Sequence, residues 1–110
     1  MLTQVANRIY GGGYTVGNKA YDPPSDPTRL IQASGKDRGE GTIFVTLNYR
    51  LGALGWLAGQ TMQKEGGVPN AGLLDQRLAL EWVQDNIHLF GGDPDRVTVM
   101  GRKADPRTRD

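Results

Sequence analysis

The 110 residues predict an α/β fold with an incomplete, mostly parallel sheet and one long crossover helix. Three observations carry that prediction. Thr42-Ile43-Phe44-Val45-Thr46-Leu47-Asn48 is β-branched and nearly continuous in apolar character, as suits a parallel strand covered on both faces. Leu73, Leu80, Val83, Ile87 and Phe90 recur at helical spacings, with Leu74, Leu78 and Trp82 in an adjoining row, so the helix presents a wide apolar face that needs a sheet to cover. Val97, Val99 and Met100 form a brief apolar run that ends on Gly101, where many α/β enzymes present a nucleophile. A strand before the helix and a strand after it make a right-handed βαβ crossover, and with it a parallel sheet.

Composition bounds the function classes. A chain of this length suits one small domain and buries about two-thirds of the surface its unfolded form exposes. The 16 glycines mark turns and close approaches and make no low-complexity run. Net charge is only +1, with Arg102, Lys103, Arg107 and Arg109 gathered in the tail, so no basic face for nucleic acid is expected. No apolar run is long enough to span a membrane, and Met1-Leu2-Thr3-Gln4 does not open a signal peptide. The chain has no cysteine, which fits a cytosolic protein and a piece of a secreted one equally well. No cofactor motif and no metal-ligand set is read from it.

Five groups of residues are more specific. Asn48-Tyr49-Arg50-Leu51-Gly52, Asn70-Ala71-Gly72-Leu73-Leu74-Asp75-Gln76, Trp82-Val83 with Asn86-Ile87, and Phe90-Gly91-Gly92-Asp93-Pro94 resemble, in order and spacing, the type B carboxylesterases, a family that includes lipases and cholinesterases. Tyr10-Gly11-Gly12-Gly13-Tyr14 resembles that family's oxyanion-hole loop. The resemblance runs from residue 9 to 101 and implies a partial α/β-hydrolase fold and carboxylic esters as substrates. Family members are several times longer and are often secreted, so the chain reads as an internal piece. Residues 1–8 form an atypical start and residues 102–110 a divergent tail expected to be disordered.

Element by element, the start is discordant. The family places a strand buried on both faces before the triple glycine, whereas this chain has Asn7 and Arg8 there, and a buried unpaired charge costs several kcal/mol. Residues 1–8 therefore read as a replacement for that strand, or as a genuine polar edge strand of a small independent domain. Gly11-Gly12-Gly13 lacks the third glycine of a dinucleotide fingerprint and any Gly-Lys-Ser/Thr, so it does not read as a phosphate cradle. Consecutive glycines let backbone N–H groups face a cleft without Cβ obstruction, although a plain glycine turn has the same composition. By resemblance, Gly12 and Gly13 are oxyanion donors, with the N–H of Ala104 as a third.

From Asn18 to Gly41 a loop is expected, with a turn or two of helix over 28–34 and a flexible polar stretch over 35–41. Arg50 reads as a structural ion-pairing residue needing a carboxylate, and Trp56 as core in preference to a pocket wall. Gly52 to Gly59 is expected to pack along the sheet edge, and 60–69 to be a polar loop. Asn70 is the expected N-cap of the helix, Glu81 the partner of Arg77, and Gly91-Gly92 with Pro94 the stop. His88, the single histidine, falls on the last turn and reads as a solvated or capping residue.

The chemistry turns on the residues after Gly101. The family's nucleophile elbow is Gly-Glu-Ser-Ala-Gly, whereas this chain reads Gly101-Arg102-Lys103-Ala104-Asp105, so Lys103 occupies the serine position. A lysine amine is mostly protonated at neutral pH and would give a stable amide where the mechanism needs a labile ester. The acidic triad member and the histidine lie farther along in the family, and the expectation is a catalytically incompetent piece of an esterase. Two other readings stand beside it: a non-catalytic binding or adhesion module like the cholinesterase relatives that lost the serine, and a truncated product with no function.

Overall fold

The computed structural model describes residues 2–20 and 26–101, with the side chains of 37 and 38 left aside. Three parallel strands form one sheet in the order β2-β1-β3, with β1 Thr3–Ile9, β2 Thr42–Thr46 and β3 Gly92–Gly101. β1 is thus central: Val5 pairs with Ile43 on one side and with Val97 on the other. The edge-strand alternative does not form, and Asn7 and Arg8 are buried within the sheet. Asn7 stands in register between Val45 and Val99, fully buried, and neither atom of its amide has a hydrogen-bond partner.

Helix α1, Thr28–Arg38, links β1 to β2 and is longer than the expected turn or two. Gly35 lies inside it with open space around its Cβ position, so it costs about 1 kcal/mol of propensity without breaking the helix. The stop comes at Gly39, in the left-handed region at φ 72°. Between β2 and β3 run α2 Gly52–Trp56, α3 Gln60–Lys64 and α4 Ala71–Asn86, so part of the expected polar loop over 60–69 is a short helix. The β2-to-β3 connection passes over β1, so the two strands named by the sequence are parallel but not neighbours.

α4 confirms the long helix, with two corrections. Asn70 occupies the N-cap position but is itself left-handed, at φ 57°, and makes no side-chain cap; its backbone carbonyl instead accepts from the N–H groups of Leu73 and Leu74. The apolar face is also covered only in part. Val83 and Ile87 pack with Val5, Ile43, Val45 and Val97, while the adjoining row Leu74, Leu78 and Trp82 is exposed, and so are Leu73 and Phe90 at the two ends of the main stripe, because a sheet of three strands covers only part of one stripe. The helix tightens into a 3₁₀ turn at Ile87–Phe90 and stops at Gly91, at φ 81°, as the glycine pair predicts.

β3 starts earlier than the expected Val97. Its register to β1 jumps between Thr3 opposite Gly92 and Val5 opposite Val97, which leaves residues 93–96 bulged out of the ladder. A turn lies inside that bulge: the Asp95 N–H donates to the Asp93 carboxylate, and Pro94, with no N–H to give, offers its carbonyl to the Gln84 amide. No helix among the described residues is long and apolar enough to cross a membrane.

Candidate functional site at the carboxyl edge of the sheet

All three strands point the same way, so their carboxyl ends share one edge, which is where open parallel sheets bind ligands. Three segments meet there. Tyr10 to Gly17 leaves β1, Leu47 to Leu51 leaves β2, and β3 ends at Gly101 opposite Ile9. The chain leaves β1 toward β2 on one side and returns from β2 across β1 to β3 on the other, so the segments that follow β1 and β2 set out in opposite directions along this edge.

The glycine loop has a definite shape. Gly12 sits at φ 144° and Gly13 at φ 64°, backbone conformations that a Cβ disfavours, and a Cβ on Gly12 would stand 2.0 Å from the Val16 carbonyl oxygen. The Gly12 carbonyl turns into the loop and accepts from the N–H groups of Thr15 at 3.3 Å and Val16 at 3.1 Å and from the Thr15 hydroxyl. With no cis peptide bond among the described residues, the Gly13 N–H, across the same planar peptide, points the opposite way. The Gly11 carbonyl faces Gly17, which turns the Gly12 N–H away from the loop interior in the same manner. Neither N–H donates to any group among the described residues. Among the described residues these two backbone donors are therefore uncommitted, and they follow within four residues of Ile9, which pairs with Gly101 at the end of β3.

The support under the loop comes from the segment after β2. Tyr10 and Tyr49 are 3% and 6% exposed, and their rings stack with centroids 4.7 Å apart. The Tyr49 hydroxyl donates to the Tyr10 carbonyl at 2.9 Å, and the Tyr10 hydroxyl returns a bond to the Tyr49 carbonyl at 3.3 Å. Burial, with smaller contributions from Tyr10 and Tyr14, holds the Tyr49 hydroxyl pKa above the ordinary phenol value, so it stays a donor at neutral pH. Farther along, the Gly52 N–H donates to the Tyr14 carbonyl at 2.7 Å, and the Tyr14 ring lies 4.3 Å from that of Trp56.

Arg50 has the carboxylate that the sequence requires. Its Nε and Nη2 both reach Asp75 on α4 at 2.8 Å, and its backbone N–H reaches the same carboxylate at 3.0 Å. These hydrogen bonds hold the Asp75 carboxyl below its usual range. The guanidinium is 56% exposed, so the pair is a surface brace between β2 and α4, not a buried ion pair. Trp56 is half-buried against Gly72 and is packing, as expected, with its indole N–H lacking a partner.

His88 lies at the other edge of the sheet. It is exposed on the 3₁₀ turn beside Gly91, whose carbonyl accepts from the Thr3 N–H at the start of β1. The length of β1 separates it from the glycine loop, about 20 Å at ~3.3 Å per residue. Lys103 and Ala104 lie outside the described residues. Residue pattern alone locates the glycine loop but assigns Tyr49 no role; the signal is its place inside Asn48-Tyr49-Arg50, at the point where β2 delivers the chain to the site edge.

The sequence pattern of the Carboxylesterase family matches residues 4–105, which takes in residues on either side of the 9–101 segment. The chain is 56% identical over 96 residues to Carboxylesterase patB of Aspergillus clavatus, covering 87% of this chain and 17% of that protein. It is 48% identical over 99 residues to a secreted lipase of Arthroderma benhamiae, covering 87% of this chain and 18% of that one. Among solved structures, Aspergillus niger EstA matches 91% of this chain and 18% of its own length with a TM-score of 0.76 at 45% identity. A thermophilic PNB esterase matches 91% of this chain and 19% of its own with a TM-score of 0.75 at 42% identity. The small parallel sheet with its helices is the corresponding part of the α/β-hydrolase fold of those esterases, and the chain spans only 17% of the length of the first relative.

Proposed function

This chain belongs to the Carboxylesterase family, and from that premise we propose that it is the oxyanion-hole part of a carboxylic ester hydrolase and does not itself form an acyl-enzyme. The observation that supports the reading best is the pair of N–H groups of Gly12 and Gly13, uncommitted among the described residues, in the loop that leaves β1 where Ile9 pairs with the end of β3. When a nucleophile adds to an ester carbonyl, an electron pair moves onto the carbonyl oxygen. Fixed backbone donors stabilise that developing charge, and in other hydrolases each is worth about 3–4 kcal/mol of barrier. Ala104, the residue after the nucleophile position, would supply a third N–H.

Lys103 stands where the family pattern has serine, and it cannot substitute for it: its ammonium has no lone pair to attack with, and the product of attack would be an amide. Residues 9–101, with Ala104 as the third donor, are the part to which the reading applies; residues 1–8 are atypical in composition, although Thr3–Ile9 forms the central strand, and Arg102, Lys103 and Asp105 depart from the family's elbow within the tail 102–110.

The test is hydrolysis of a chromogenic short-chain ester by the 110-residue chain. No release above the buffer blank is expected. Release that a serine-directed phosphonate abolishes would overturn the proposal. Lys103→Ser is expected to leave turnover at the blank, since the single histidine lies at the far edge of the sheet from the glycine loop.

A further inference from the structure

We propose that Tyr49 is a positioning residue of the site, holding the glycine loop in its donor-outward shape through the bond from its hydroxyl to the Tyr10 carbonyl. The inference rests on the reading of Gly12 and Gly13 as oxyanion donors and adds what keeps them aimed. The Tyr10 carbonyl belongs to the peptide that leads into Gly11, so fixing it fixes the plane from which the loop departs. The opposite end of the loop is held as well: Gly17, at φ 128°, lies so close to the Tyr10 ring that a Cβ there would stand 2.4 Å from it. In the middle, the Gly52 N–H and the Trp56 ring hold Tyr14, which itself sits at φ 62°. Start and middle are thus tied to one segment, 49–56, and the end to the ring on which Tyr49 stacks.

The two tyrosine bonds are not equivalent. Tyr49 grips the backbone of the glycine loop at 2.9 Å, whereas Tyr10 grips the backbone after β2 at 3.3 Å. A purely structural pair would respond similarly to loss of either hydroxyl. A positioning role predicts asymmetry. Tyr49 touches no reacting atom and is not a catalytic residue.

The experiment is a titration of the ¹⁵N-labelled 110-residue chain with phenylphosphonate, a tetrahedral anion, following the amides of Gly12 and Gly13. In the parent chain both amides are expected to shift saturably. Tyr49→Phe, which keeps the ring stack, is expected to weaken the probe about three- to tenfold and to speed hydrogen exchange of the loop amides, with exchange at Val83 and Ile87 unchanged. Tyr10→Phe is expected to stay within about twofold of the parent. Equal weakening by the two variants, or no weakening by Tyr49→Phe, overturns the positioning role while leaving the oxyanion reading intact. Absence of any shift in the parent overturns both. Should Tyr49→Phe lose its folded core amides, Trp56→Leu reads the middle tie: a two- to threefold loss is expected, and unchanged affinity overturns the proposal.

Discussion

The middle and the end of β1 bury polar groups a few residues apart under opposite terms. At the end, two tyrosine hydroxyls and two backbone carbonyls pair reciprocally within a stacked, nearly solvent-free cluster. In the middle, Asn7 is fully buried between valines with both amide atoms unpaired. A buried polar group that finds its partner adds a modest net stability and fixes geometry, whereas one that does not carries its full desolvation penalty. Burial alone therefore says nothing about which polar residue supports the fold.

The largest effect should come from breaking the paired end. Tyr49→Ala removes the stack and the bond from the Tyr49 hydroxyl, and unseats the Tyr10 ring whose hydroxyl reaches the carbonyl of residue 49; it is expected to lower unfolding stability by about 3–5 kcal/mol, seen as a fall in the urea midpoint. A loss below about 1 kcal/mol would show that the cluster does not anchor the sheet edge. The next effect runs the other way. Asn7→Val replaces the orphaned amide with the residue type that flanks it, and is expected to raise stability by about 1–3 kcal/mol. Destabilisation by that change would mean the amide is paired in solution.

The Arg50–Asp75 brace, more exposed than either site on β1, should give a smaller effect that depends on pH. The carboxyl of Asp75 titrates below its ordinary value in the folded chain, so its contribution is complete above about pH 4 and is lost as pH falls through the lowered folded value. Asp26, held down by its bonds from Thr28, acts with the same sign and remains as background. Asp75→Asn is thus expected to flatten the acid limb of a stability-versus-pH curve, and a limb unchanged by the substitution would remove the brace from the account. Smallest is Arg77→Ala on the exposed side of α4: its 2.9 Å contact with Glu81 joins two exposed side chains, and the change should stay within about 0.5 kcal/mol in a thermal melt.

The features legible in the residues and those that were not divide along range. α4 and its stop at Gly91 derive from local periodicity and one left-handed glycine, and β2 from an unbroken apolar run. The need of Arg50 for a carboxylate was legible too, although its exposure was not. The Tyr10–Tyr49 pairing joins residues 39 apart, and nothing in either neighbourhood announces it. The width of the helix face that gets covered was also out of reach, since it depends on how many strands lie beneath it; hence Leu78 and Trp82, at 64% and 47% exposure, look like core in the sequence. Residues such as Asn7 and Arg8 defeat composition rules, because a central strand formed around them regardless.

The central claim is that this chain carries oxyanion donors without a nucleophile to use them. Its most direct test is the intact mass of the chain after incubation with a serine-directed phosphonate. The unmodified mass is expected, and a stoichiometric phosphonyl adduct on any serine would contradict the absence of a working nucleophile.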